Sequence, residues 1–247
     1  MGPVQGTGER LRTGEVSSDT IGNMKVLFIA HNESDGSSLT WDFMRFHGVE
    51  LTIVNPFPGC VMPRDPSGFD GIVSMGDKAV EGCENFMEEE IILLQLALKN
   101  TTPVLGISLG ARILARACHV PVKNDLRRHA GWSRIDLTRE GRRDILFYGL
   151  PSSMNFFHIQ DDSIELPKGA LHLARSNESP VQAFRYGNAY GLHFHLDVTP
   201  GMLVEWTEKT AQREKNIRHF EQMAAELEIQ TRAIYGNFLW LIEICSV

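Results

Sequence analysis

One short stretch constrains the fold more than any other: Pro103–Cys118, with the sequence PVLGISLGARILARAC. It begins with an apolar pair that predicts a buried strand, and it ends in a helical pattern whose apolar residues share one face. A small polar residue at a sharp strand-to-helix turn is typical of a nucleophile elbow, so Ser108 is the predicted nucleophile. An ordinary strand–helix turn, in which the serine caps the helix, fits the same residues and stays open as an alternative.

The composition narrows the classes of function. With 247 residues, of which 43% are hydrophobic, the chain can bury a substantial core. Its net charge of -7 argues against a general nucleic-acid-binding protein and against a partner of anionic membranes. The four cysteines lack zinc-site spacing, which favours a reduced, cytoplasmic protein without a metal site. No GxxxxGK[ST] motif is present, so no cofactor is expected.

The ends of the chain differ in composition from its middle. Residues 1–23 are rich in Gly, Ser, Thr and charge and lack the apolar segment of a secretory signal. We expect them to be a disordered leader in front of a single domain at 24–247. No apolar run approaches the length that spans a membrane.

Apolar runs alternate with helical patterns through the first half of the chain. Strands are predicted at Met24–Ala30, Glu50–Val54, Asp70–Ser74 and Val104-Leu105, with helices at Leu39–His47 and Phe86–Lys99. This alternation predicts an α/β fold with a mainly parallel central sheet and helices on both faces. The loops that follow the first, third and fourth strands should therefore meet at the carboxyl edge of the sheet.

After Val120 the pattern changes to short strands with turn signals between them. They are predicted at Gly131–Leu137, Asn155–Ile159, Leu171–Arg175, Val181–Arg185 and Ala189–Val198. The second half of the sheet should therefore be more antiparallel. Residues 200–247 are predicted to close the fold with two helices, Met202–Glu226 and Ile229–Ile244.

The last predicted strand carries the candidates for a base and an acid. Strand side chains alternate, so the apolar residues of Leu192–Val198 should face the core, while His193, His195 and Asp197 share the other face. An acid two residues from a histidine can hold one imidazole tautomer, as a base for Ser108 requires. A half-exposed strand shows the same alternation and stays open. In α/β-hydrolases the acid precedes the histidine, so the order found here disfavours that fold.

Together these segments resemble the class I glutamine amidotransferase domain, in particular stand-alone proteins similar to the amidotransferase of GMP synthase. PVLGISLGARILA resembles the family elbow PVLGICLGAQLLA, and AYGLHFHLDVT at Ala189–Thr199 resembles VYGLQFHPEVT. DGIVSMGD, AGWSRIDLT, FFHIQDDSIELP, SPVQAFRYGNAYG and TPGMLVEW also resemble family segments, in the same order, from Met24 to about Trp206. The resemblance implies a flavodoxin-like amidotransferase fold.

The resemblance also implies roles for individual residues. Ser108 takes the place of the nucleophilic cysteine, His195 that of the base, and Asp197 that of the glutamate that orients the base. The backbone N–H groups of Gly76 and Leu109 would form the oxyanion hole. The expected substrate is glutamine or a similar small amide. A separate ammonia-accepting synthetase is the partner that the resemblance implies, since no synthetase motif is present.

The sequence departs from the family where the chemistry takes place. Ser108 replaces cysteine, and Asp197 is one methylene shorter than glutamate. Positions expected to bind substrate or to border the oxyanion hole also differ, namely Met75, Asp77, Arg112 and His193. A serine hydroxyl supplies almost no anion at neutral pH, so an altered or lost activity is expected. Because several changes accompany Ser108, natural divergence is favoured over a single introduced substitution.

Three functions stay open at this point. The first is hydrolysis of glutamine or a related γ-glutamyl amide by Ser108, His195 and Asp197. The second is a serine hydrolase that uses the same three residues on the same scaffold. The third is a non-catalytic binding or regulatory module, in which Arg112 holds an anionic ligand by a bidentate contact. For Arg112, an exposed position on the helix surface is the favoured alternative.

Overall fold

The structure, a computed structural model, describes residues 24–31, 39–57, 60–77, 83–208, 210 and 212–246. The predicted leader at 1–23 lies outside the described residues. The strands are β1 Lys25–Ala30, β2 Glu50–Val54, β3 Gly71–Gly76, β4 Val104–Ser108, β5 Val122–Leu137, β6 Ser153–Ile164, β7 Leu171–Arg175, β8 Ala183–Tyr186 and β9 Ala189–Leu192. The α-helices are α1 Leu39–Phe46, α2 Glu84–Lys99, α3 Leu109–Ala117, α4 Pro200–Trp206 and α5 Arg213–Cys245.

These strands form one sheet with the order β2-β1-β3-β4-β9-β8-β7-β5-β6. The five strands from β2 to β9 are parallel, whereas β8, β7, β5 and β6 pair in antiparallel fashion. The prediction of a parallel first half with an antiparallel extension is confirmed. Because β4 lies between β3 and β9, the ends of these three strands are adjacent at the edge where Ser108 lies.

Apolar residues fill the space on both faces of the sheet. Along β1, Val26 and Phe28 belong to one core cluster together with side chains of α5. Leu27 and Ile29, on the opposite face, belong to a second cluster with side chains of α2 and α3. A strand that is buried on both faces has a continuous run of apolar residues in the sequence, and for this reason β1 could be predicted.

The C-terminal part of the structure differs from the prediction. The strand predicted at Ala189–Val198 ends at Leu192, and the residues that follow keep only one isolated bridge to the sheet, between His195 and Phe157 of β6. The helix predicted at Met202–Glu226 is also wrong, because α4 ends at Trp206 and α5 begins only at Arg213. The hydroxyl of Thr207 donates to the Leu203 carbonyl at the end of α4, a local bond that competes with continued helix.

The break predicted near residue 227 is absent, and α5 runs without interruption over 33 residues. Polar side chains at helical spacing stabilise this region: Gln230 donates to Glu226 at 2.8 Å, and Arg232 donates to Glu228 at 2.8 Å. Its C-terminal half buries Tyr235, Phe238 and Ile242 among others in the core. Of the helices in the described ranges, none is both long enough and apolar enough to cross a lipid bilayer.

Helix α3 packs unusually close to β3, and this contact requires glycine. A Cβ atom built on Gly110 would lie 2.0 Å from the carbonyl oxygen of Ser74. We therefore expect Gly110→Ala to lower the free energy of unfolding by about 2 kcal/mol or more, since backbone atoms must move apart. Urea denaturation followed by circular dichroism measures this change.

Gly201→Ala is the matched control, because its Cβ would meet only the Thr199 hydroxyl oxygen, at 3.9 Å. Within helix α4 this substitution should leave stability unchanged or raise it by about 0.5–1 kcal/mol. Equal destabilisation by the two substitutions would contradict the importance of the α3–β3 contact.

Candidate active site

Ser108 lies at a sharp turn between β4 and α3. It is the last residue of β4 and has a φ of 52° and a ψ of -106°, a conformation that L-residues rarely adopt. Helix α3 begins at the next residue, Leu109, and the Ser108 side chain makes no capping hydrogen bond to it. The structure therefore does not bear out the helix-capping alternative. The turn has the strained geometry that a nucleophile elbow requires.

The two predicted oxyanion donors lie on either side of this turn. Gly76, the last residue of β3, is the register partner of Ser108 in the parallel pairing of β3 with β4. Leu109 is the first residue of α3, where a backbone N–H lacks a partner within the helix. Both residues thus border Ser108, and their role in binding an oxyanion stays a prediction.

The segment that carries the predicted base continues from β9 towards β6. Leu192 is the register partner of Ile107 in β4, so the chain leaves the sheet beside Ser108. The backbone N–H of His193 then donates to the Gln182 carbonyl at 2.8 Å, and that of His195 donates to the Phe157 carbonyl at 2.9 Å. These bonds hold the segment across the carboxyl edge of the sheet.

This segment is buried, so the alternative of a half-exposed strand is wrong. His193 and His195 are each 2% exposed and Asp197 is 0% exposed. Helices α4 and α5 cover them: the Trp206 ring lies 4.5 Å from that of His195, and the Thr231 hydroxyl donates to the Leu196 carbonyl at 2.6 Å. The predicted strand alternation does not extend to these residues, because β9 ends at Leu192 and both the apolar and the polar side chains that follow are buried.

The environment of His195 keeps its imidazole neutral. Burial lowers the pKa of His195 to about 4, and the charges of Arg112 and His193 act in the same direction. The negative charge of Asp77 opposes them. The Nε2 atom of His195 is buried and makes no hydrogen bond to any residue in the described part of the chain. A neutral ring nitrogen can accept a proton, so His195 has the protonation state of a general base at neutral pH.

Arg112, on the helix that follows Ser108, acts on His195 through its charge. It lies in the first turns of α3, is partly buried, and its Nη2 donates to the Asp77 carbonyl at 2.9 Å. The favoured expectation of an exposed helix-surface arginine is therefore wrong. Asp77 directly follows Gly76, and its effect on His195 was not anticipated. Within the described residues, no three His, Cys, Asp or Glu side chains come together to hold a metal ion.

Asp197 and Met75 interact with two buried polar residues, Tyr235 on α5 and Thr40 on α1, respectively. Burial, and after it the charge of Asp197, raises the pKa of Tyr235, whereas the short hydrogen bond between the Tyr235 and Thr40 hydroxyls acts in the opposite direction. The Thr40 hydroxyl also contacts the Met75 sulfur at 3.8 Å. The orienting role of Asp197 stays a prediction, as do the substrate contacts expected for Met75, Arg112 and His193.

The chain belongs to the glutamine amidotransferase class-I family. The sequence model of that family, described as "Glutamine amidotransferase class-I", matches residues 67–208, which is more than half of the chain. The match includes the elbow, the segment with His195, and the strand end with Gly76. The family predicted from the elbow and histidine segments is thus confirmed.

Two curated relatives are GMP synthase proteins. The chain is 29% identical over 166 residues to a glutamine-hydrolyzing GMP synthase subunit from Thermococcus kodakarensis, with 64% of this chain and 81% of the relative covered. It is 32% identical over 158 residues to the glutamine-hydrolyzing GMP synthase of Helicobacter pylori, with 63% of this chain covered. In that second case the match spans only 29% of the longer relative.

Solved structures of two glutamine amidotransferases share the fold. The protein from Thermotoga maritima superposes with a TM-score of 0.77 at 23% identity, covering 87% of this chain and 97% of that one. The protein from Methylobacillus flagellatus gives a TM-score of 0.75 at 18% identity, covering 88% and 94%. At these identities the similarity concerns the fold, and it confirms the flavodoxin-like α/β architecture.

The lowered pKa of His195 predicts how stability depends on pH. The unfolded chain binds a proton at His195 near pH 6.5 and the folded chain only near pH 4, so stability from this residue is present above pH 6.5 and lost as pH falls towards 4. The loss should reach about 3 kcal/mol. Urea denaturation between pH 7.5 and 4 should show a shallower decline for His195→Asn than for the unsubstituted chain. Identical slopes would contradict the neutral, buried state of His195.

Proposed function

We propose that this chain hydrolyses the side-chain amide of glutamine, or of a related γ-glutamyl compound, and releases ammonia for a synthetase partner. The observation that carries the proposal is the strained turn at Ser108, together with a buried, neutral His195 on the segment that follows β9. Both GMP synthase relatives are named as glutamine-hydrolyzing, which supports glutamine as the substrate. The relative from Thermococcus kodakarensis is named as a subunit, which supports the proposal of a synthetase partner.

In the proposed reaction, Ser108 Oγ attacks the amide carbonyl carbon while His195 accepts the hydroxyl proton. The N–H groups of Gly76 and Leu109 stabilise the oxyanion that forms. Collapse of the tetrahedral intermediate breaks the C–N bond, and ammonia leaves with the proton from His195. Water then cleaves the γ-glutamyl ester, so that glutamine and water become glutamate and ammonia.

The lowered pKa of His195 implies that the proposed reaction is slow with serine as the nucleophile. A serine hydroxyl needs a strong base in order to be deprotonated, yet burial has made His195 a weak one. A thiol needs much less help, because its own pKa lies closer to neutrality. Arg112 and His193 weaken the base further and also carry donors that suit the carboxylate of an amino-acid substrate.

Replacing the nucleophile tests the proposal directly. We expect Ser108→Cys to raise kcat for glutamine hydrolysis at least about 10-fold at pH 7.5, because a thiol is a stronger nucleophile than an alcohol. Glutamate and ammonia release are measured, and mass spectrometry of the acid-quenched protein detects a γ-glutamyl adduct. Ser108→Ala, and Ser108→Cys combined with His195→Asn, are the inactive controls.

The outcomes separate the alternatives. The proposal fails when neither serine nor cysteine at position 108 yields turnover or a glutamyl adduct. Labelling of Ser108 by a fluorophosphonate, without any glutamine hydrolysis, would support a serine hydrolase on this scaffold instead. A labelled control hydrolase in the same mixture shows that the reagent is active.

A second candidate function is carboxylate binding without turnover. It is favoured by Arg112, whose guanidinium group is held at the elbow by the Asp77 carbonyl and acts on His195. In this case glutamate should raise the melting temperature of the unsubstituted chain by mass action, by an amount equivalent to about 2.7 kcal/mol at 100 times Kd. Thermal denaturation with glutamate, glutamine and a neutral amide measures the effect.

Arg116 provides the matched control, because it lies on the same helix but pairs with Glu88 at an exposed position. Arg112→Gln should abolish the stabilisation by glutamate, whereas Arg116→Gln should keep it. If Arg112→Gln instead increases glutamine hydrolysis, the arginine hinders the reaction and the binding function is rejected.

A further inference from the structure

The His195 imidazole is buried, yet no hydrogen bond at Nε2 fixes its orientation. That atom has no hydrogen-bond partner among the residues that the structure describes. A general base must present one ring nitrogen to the hydroxyl that it deprotonates, so the plane of the ring matters for the proposed reaction. At the Nε2 end of the ring, packing contacts are therefore what restrains this plane.

A second buried histidine, His31, shows the contrasting case. Its Nε2 lies 2.7 Å from Glu90 Oε2, and its Nδ1 lies 2.7 Å from the Met75 carbonyl oxygen. The Glu90 carboxylate is held as well, because the Ser74 hydroxyl donates to its Oε1 at 2.6 Å. Two hydrogen bonds thus fix the His31 ring, and its aromatic neighbour Phe86, with a ring centroid 6.0 Å away, is not needed for this.

Trp206, the last residue of α4, packs against the His195 ring. The two ring centroids are 4.5 Å apart, and the ring planes are inclined at 45° to each other. Both side chains are buried, with 8% of Trp206 and 2% of His195 exposed. Rings at this separation are in direct contact, so the indole limits how far the imidazole can turn.

The indole ring is in turn held by Phe157 of β6. These two rings stack with their centroids 5.9 Å apart and an angle of 19° between their planes. The backbone carbonyl of Phe157 also accepts the N–H of His195 at 2.9 Å. Phe157 therefore holds the backbone of His195 directly and the ring of His195 through Trp206.

Trp132 of β5 connects this aromatic group to α5. Its ring centroid lies 5.3 Å from that of Phe157, with the planes at 75°. Its Nε1 donates to the backbone carbonyl of Asn216, in the first turns of α5, at 3.1 Å. The aromatic group is thus attached both to the sheet and to the helix that covers it, which keeps the indole in one position.

We propose that Trp206 is a positioning residue for the proposed base: its indole ring, held by Phe157, fixes the plane in which the His195 imidazole is presented for proton transfer. This inference rests on the proposed function, since it assigns the imidazole the role of accepting the proton of the Ser108 hydroxyl. Trp206 touches neither the substrate nor the nucleophile in this scheme. It acts only through His195.

Three substitutions of Trp206 separate the aromatic ring from the space that it fills. Trp206→Phe keeps a ring, whereas Trp206→Leu and Trp206→Met fill the space without one, and the flexible Met side chain adapts to irregular gaps. All three are introduced into whichever of the unsubstituted chain and Ser108→Cys hydrolyses glutamine. Phe86→Leu is the matched control, because it removes the aromatic neighbour of His31, a buried histidine that hydrogen bonds hold in place.

We expect Trp206→Leu and Trp206→Met to lower kcat about 10-fold or more with a change in KM below about 3-fold, because a misoriented base loses part of the 10²- to 10⁴-fold effect of proton transfer. Trp206→Phe should stay within about 3-fold of the parent in kcat, and Phe86→Leu should leave kcat unchanged. Equal losses in all three Trp206 variants would indicate a general loss of packing and would overturn the inference.

Crystal structures of the variants supply a readout that does not depend on activity. The His195 ring should change its plane, or occupy more than one orientation, in the two non-aromatic variants and keep its plane in Trp206→Phe. The His31 ring should keep its plane in Phe86→Leu. If the His195 ring moves as expected while no form of the protein hydrolyses glutamine, the positioning role is supported and the proposed function fails. An unmoved His195 ring in the non-aromatic variants, or a moved ring with unchanged kcat in an active enzyme, overturns the inference.

Discussion

The structure around the site depends on how closely α3 can approach β3. Ser108 adopts a positive φ only because the residues on both sides hold the chain there, and Gly110 contributes by letting the helix backbone pack against the Ser74 carbonyl. Strain of this kind persists when the surrounding structure determines it. The same contact brings the first turn of α3, with Arg112, against the end of β3. The position of the predicted nucleophile is thus a consequence of backbone packing.

The chemistry of the site follows from burial more than from local charge. The segment after β9 is enclosed by α4 and α5, so its two histidines and its carboxylate are removed from water. Desolvation is the largest influence on His195, and it weakens the base that a serine nucleophile requires. In the proposed reaction, the strained turn at Ser108 would favour attack by the hydroxyl, whereas the lowered pKa of His195 would disfavour it. A cysteine would tolerate this environment better than the serine that is present.

Much of the fold could be predicted from the sequence, because a parallel sheet that is buried on both faces produces apolar runs with helices between them. The elbow was visible for a related reason, since a strand, a small-residue turn and a helix are adjacent in the chain. The continuity of α5 was missed because it depends on polar contacts such as that of Gln230 with Glu226. The end of β9 was not predicted, because apolar and polar residues continue to alternate in the sequence from Leu192 to Val198. The apolar residues of this segment pack beneath α5 although they lie outside the strand.

The site was predicted only where residues carry a motif. Asp77 and His31 each follow a strand and look like ordinary loop residues in the sequence. Glu90 occupies a position in a charged helical stretch, where its complete burial could not be foreseen. Their contacts join residues that are distant in the chain, such as His31 and Glu90, 59 positions apart. Such pairs become visible only when the strands have been placed side by side.

The hydrogen bond from Thr231 to Leu196 spans 35 residues and has a consequence for biosynthesis. Because the chain is synthesised from its N-terminus, the histidine segment is made before the helix that encloses it. During that interval Phe194, Leu196 and Val198 lack their apolar cover, and Asp197 is still hydrated. This edge of the sheet is therefore among the last regions to mature, and the nascent chain depends on α5 to cover an apolar surface that could otherwise aggregate.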